Sequence, residues 1–131
     1  MANALYPKFK EALLNKEHDL NTDVIKAALI DLGAYTYGGA HSSYTTDVAA
    51  GAKIATVTLT SPTIVDGVFD TADFVWPTVS GAQSEAIILY NDSHASKGLI
   101  AFYDTGMTGM PVSPVGSNIN GTVHPSGWFA L

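Results

Sequence analysis

The chain has 131 residues, 47% of them hydrophobic and only 14% charged, with a net charge of −6 and neither cysteine nor arginine. That length suits a single domain burying roughly two-thirds of its unfolded surface. The acidic balance and six scattered lysines argue against nucleic acid as a ligand, since phosphate binding draws on Lys and Arg clusters, and the missing cysteines exclude disulfide and thiol chemistry.

The charged share falls well below the ~25% usual for soluble domains. A folded chain with so little charge points to surface that is covered in an assembly. The first residues lack a basic segment followed by a long apolar run, so no secretory signal is read there. No apolar stretch approaches the ~20 residues needed to span a bilayer. The expectation is a soluble protein made in a cytoplasm, with no membrane partner.

Residues 5–16 read as the one good helix. Leu5, Phe9, Ala12 and Leu13 fall at i, i+4, i+7 and i+8, with Lys8, Lys10, Glu11 and Asn15 around them. Leu14 lies off the stripe, and Pro7 suits a first turn, where its missing N–H costs nothing. Residues 15–21 read as the polar turn that ends the helix.

After this the pattern is strands and loops. Residues 24–32 (VIKAALIDL) are a strand candidate, although Ala27 and Ala28 leave a helix open. Residues 53–60 (KIATVTLT) alternate and are β-branched. Val68-Phe69 and residues 72–79 follow, separated by Asp70-Thr71. Residues 85–90 (EAIILY) and 99–103 (LIAFY) are the strongest strands. Asn120-Gly121 is a favoured hairpin-turn pair, and residues 128–131 make a short terminal strand. Residues 34–51 form a long connection with a helical turn around 44–48, and residues 105–121 form a loop or surface arm. The sum is a single mainly β domain over 1–131, an antiparallel sandwich or barrel of jelly-roll type with a short N-terminal helix.

No residue set carries catalysis. His18, His41, His94 and His124 are dispersed without metal-ligand spacing; His94 near Asp92, and His41 near Ser42 and Ser43, are the closest clusters. Asp66, Asp70 and Asp73 sit where a hairpin favours Asp for local backbone bonding rather than in a calcium loop. Ser42 lacks a nucleophile elbow, and residues 105–111 (TGMTGMP) are Gly-rich without a following helix. Two sequons, at Asn91 and Asn120, read as chance without a secretory signal. Tyr90, Phe102, Tyr103 and Trp76 read as core or interface residues. Neither an enzyme nor a cofactor is expected.

The opening MANALY resembles a group of small tailed-phage and prophage virion proteins. The likeness continues through residues 23–31 (DVIKAALID), 34–37 (AYTY), 51–55 (GAKIA), 66–70 (DGVFD), 84–90 (SEAIILY) and 99–104 (LIAFYD), covering most of the chain. It implies a virion structural protein, with a head decoration or cement protein on the capsid exterior as the preferred assignment. The implied partners are the major capsid protein and the protein itself, as a homotrimer or else a dimer. Leu5, Tyr6, Phe9, Leu13, Met107 and Met110 are the candidate interface residues. Two alternatives stand beside this: a tail- or fibre-associated component, and a carbohydrate- or host-surface-binding module using Tyr35, Tyr37 or Tyr44.

Overall fold

The longest apolar runs form the middle of an antiparallel sheet. The computed structural model describes residues 3–104 and 110–131. In chain order they form β1 (Ala4–Leu5), α1 (Pro7–Leu14), β2 (Ile25–Ile30), α2 (Tyr44–Asp47), a 3-10 turn (Ala50–Ala52) and β3 (Lys53–Thr58). There follow β4 (Thr63–Val65), β5 (Val68–Asp70), β6 (Phe74–Trp76), β7 (Ala86–Asn91), β8 (Leu99–Tyr103), β9 (Ile119–Gly121) and β10 (Phe129–Ala130).

Five strands pair in the order β1-β8-β7-β2-β3, while β10-β5-β4 and β6-β9 make two smaller sheets. All pairings are antiparallel. The protein is therefore mainly β, with a sandwich-like arrangement whose large sheet keeps two edges, β1 and β3. Residues 24–32 resolve to a strand because Ile25, Leu29 and both alanines are buried in the centre of this sheet.

The large sheet is covered on both faces. On one, Phe102 of β8 packs against Tyr35 and Tyr37, and Tyr90 of β7 stacks on Tyr44 at 3.9 Å. On the other, Tyr103 meets Trp128 and the Trp76 indole donates to the Ala27 carbonyl at 3.0 Å. Strands enclosed in this way read as unbroken apolar runs rather than alternating ones. The long connection 34–51 thus has a structural task, closing one face of the sheet with tyrosines. Its helical turn is α2, capped by the Ser43 hydroxyl, which accepts from the Thr46 N–H.

Two local expectations need correcting. The helix spans 7–14 rather than 5–16, because Leu5 pairs with Ala101 in the sheet and the extended Tyr6 donates its N–H to the Ile100 carbonyl. The Asn120-Gly121 pair is no turn; both residues lie in β9, opposite Val75 and Phe74. Gly121 is required there because a Cβ would overlap the Phe74 ring. The hairpin turn is Asp66-Gly67, both at positive φ (52° and 78°), joining Val65 to its cross-strand partner Val68. That two-residue geometry matches the twist of the flanking strands.

Candidate functional site

The fold separates the five candidate interface residues that it describes. Tyr6 and Phe9 are buried in the protein's own core, at 0% and 1% exposure, so neither is a surface contact. Tyr6 donates or accepts at 2.8 Å with the Tyr35 hydroxyl, which meets His41 Nδ1 at 2.9 Å. Burial pushes the Tyr6 phenol pKa far up, so it stays protonated. Phe9 packs on His18 and, edge-on, on Phe129 of β10. Within the apolar stripe of α1, Phe9 is therefore a core residue, and burying it contributes roughly 1.5–3 kcal/mol. Leu5 is half-buried in β1. Met107 lies outside the described residues, and Met110 lines a separate cleft that no residue of α1 borders.

Leu13 is half-buried against the edge of the core and has company. It borders a groove of about 470 Å³ between α1 and the β10-β5-β4 sheet, with Leu20, Ile64, Phe69, Phe129 and Leu131. Ile64 is 51% exposed, Val65 64% and Leu131 67%. β4 is the open edge of its sheet and carries no charge. Exposed apolar edges invite pairing or covering, and isolated domains usually blunt them with charge or proline. Ile64 and Leu131 did not emerge from sequence reading. The signal was present, in the β-branched run Thr63-Ile64-Val65 placed directly before Asp66-Gly67.

One wall of the groove is polar. His18 lines it together with Lys16 and Asp19. His18 Nδ1 accepts from the buried Asn91 carboxamide at 2.9 Å, and the same Nδ2 group donates to Asp23 at 2.7 Å. The rings of His18 and His94 lie 4.9 Å apart, and His94 Nε2 meets Glu17 at 3.1 Å. Burial, and then the neighbouring His94, hold the His18 pKa below its ordinary value, so the ring is kept neutral. Gly98 fits beneath this pair because a Cβ would come within 2.8 Å of the His18 ring. The cluster ties the loop after α1 to the β7–β8 connection.

The remaining motifs have local tasks. Asp70 accepts from the Thr71 N–H and Asp73 from the Val123 N–H, while Asp47 accepts from Ser42 and Ser43. Those two backbone hydrogen bonds lower the Asp47 pKa. Among the described residues no three His, Asp or Glu side chains converge as a metal site. No described helix is long and apolar enough to cross a membrane. Tyr35 and Tyr44 are buried, and Tyr37 packs on Tyr6 and Phe102, so these three form no exposed stacking platform for sugars. In comparison with known proteins, the chain matches no family model and no curated protein.

Proposed function

We propose that the protein is a structural component of a tailed-phage particle, a decoration protein that binds the major capsid protein outside the head and self-associates as a homotrimer. The observation that carries this reading is the apolar groove beside α1, with the open β4 edge and Leu131 exposed around it. An apolar, uncharged edge on a chain of net charge −6 is suited to being covered rather than solvated. The sequence likeness to small virion proteins supports the particle as the setting.

The physics of decoration fits modest interfaces. One weak contact repeated at many symmetry-related sites gains strength through avidity. Three copies around a shared axis would cover apolar rims that one copy leaves open, and a three-fold arrangement matches the local symmetry of an icosahedral shell. An acidic exterior protein also avoids adhering to DNA.

The test is reconstitution on mature heads stripped of the protein. Bound copies should reach a fixed number per head and raise the temperature at which heads rupture. A Leu13→Asp, Ile64→Asp double variant should fold and lose occupancy. Full occupancy by that folded variant, or recovery of the native protein on purified tails alone, overturns the reading.

A further inference from the structure

A second cleft, of about 560 Å³, opens between the large sheet and the β6-β9 pair. Its walls are aromatic: Phe74 and Trp76 meet edge-to-face at 4.8 Å, Phe74 stacks on Trp128 at 5.6 Å, and Trp128 touches Tyr103 at 5.5 Å. Both tryptophans of the chain lie here. The volume falls in the range of small-molecule sites, roughly 300–1,000 Å³.

The polar atoms of these rings are turned away from a ligand. The Trp76 indole N–H donates to the Ala27 carbonyl, and that of Trp128 to the Thr71 hydroxyl at 2.8 Å. The Tyr103 hydroxyl donates to the Trp128 carbonyl at 2.7 Å. While Asn118, Thr122 and His124 add polar groups to the lining, what these three rings offer is carbon. The register of β6 and β9 extends this, placing Ile119 opposite Trp76 and Gly121 opposite Phe74, while Asn120 shares the other face with exposed Val75. No Lys, Arg, Asp or Glu is among the described residues lining the cleft. His124 also lines the cleft, and its Nδ1 accepts from the Ser126 N–H at 3.0 Å.

We propose that this cleft binds a neutral, mostly hydrocarbon ring compound of one or two rings. The chemistry argues against a charged ligand. An anion would lose its hydration without a counter-charge in a chain that is itself acidic, and a cation would find no carboxylate among the described lining residues to replace its water. A flat apolar ring instead gains contact with offset and edge-on aromatic faces.

Two dyes with the same ring skeleton test this: neutral N-phenyl-1-naphthylamine and anionic 8-anilinonaphthalene-1-sulfonate. In the unmodified protein the neutral dye should bind saturably, quench tryptophan emission and shift both indole N–H resonances. It should bind about tenfold or more tighter than the sulfonate, which adds an uncompensated charge. Val112→Phe or Met110→Phe, which narrow the mouth, should weaken it, whereas the Leu13→Asp, Ile64→Asp variant should bind it normally. Unmoved indole resonances, a sulfonate that binds as tightly, or unweakened binding in a folded mouth variant would each overturn the proposal.

Discussion

The central strands β2, β7 and β8 and the outer strands β4, β5 and β10 are built on opposite terms. The first group has nearly every residue buried and is covered on both faces. The second consists of strands of two or three residues, and all of β4 is exposed. Stability is concentrated where strands are long and doubly covered. Recognition surface is available where they are short and open, because there side chains can change without unmaking the core. The groove beside α1 lies at the junction of the two regimes: Phe9 and Phe69 belong to the core, while Ile64 and Leu131 do not.

Substitutions in the two regions should sharpen this contrast, and the largest effects belong to the centre. Phe102→Ala removes a ring packed on Tyr35 and Tyr37 and should cost about 3–5 kcal/mol in urea unfolding. Phe9→Asp, placing a charge in the same core, should leave little folded protein by circular dichroism. If Phe9→Asp melts like the native chain, α1 is not part of the core.

Gly121→Ala comes next. Its new methyl meets the Phe74 ring, so about 1–3 kcal/mol of destabilisation is expected from overpacking. If Asn120-Gly121 were a solvent-facing turn instead, the same change would leave the melting temperature almost untouched.

A smaller effect depends on pH. His18 has a folded pKa below the ordinary 6.5, so the unfolded chain takes up the proton first. Its contribution to stability is then complete above pH 6.5 and declines as pH falls from there toward the folded pKa. The groups facing it are Asn91, Asp23, Glu17 and His94. In His18→Gln the stability profile should be flatter in this window. A native profile that is level from pH 6.5 down to the carboxylate range would contradict the neutral, buried imidazole.

The smallest change is expected at β4. Ile64→Thr keeps a β-branched residue at a half-exposed edge and should shift unfolding free energy by no more than about 0.5 kcal/mol. A larger loss would place Ile64 with the core rather than with the outer surface.

Much of the architecture was legible in local pattern. The alternation in 53–60, the apolar runs 85–90 and 99–103, and the Phe9 stripe of α1 follow from side-chain periods of 2 and 3.6 residues, which neighbouring residues alone set. Leu13 was legible as part of an apolar stripe, but its groove partners Ile64 and Leu131 were not, since only folding brings them beside α1. Asp-Gly at 66–67 and Asn-Gly at 120–121 show the limit. Both pairs have the chemistry of a tight turn, yet only the first makes one. The second is drawn into a strand by pairing with β6 and by the space that the Phe74 ring demands.

The amino-acid order by itself thus determined the β character, the presence of the N-terminal helix and the acidic, cysteine-free chemistry. Tertiary structure alone decided which aromatics are hidden. Tyr35 and Tyr44 look like binding residues in a polar loop, but they close the outer face of the large sheet. Trp76 and Trp128, 52 positions apart, share one cleft. Such placements depend on contacts between segments distant in the chain, and no local propensity encodes them, because the energy that fixes them is the burial of one segment's surface by another.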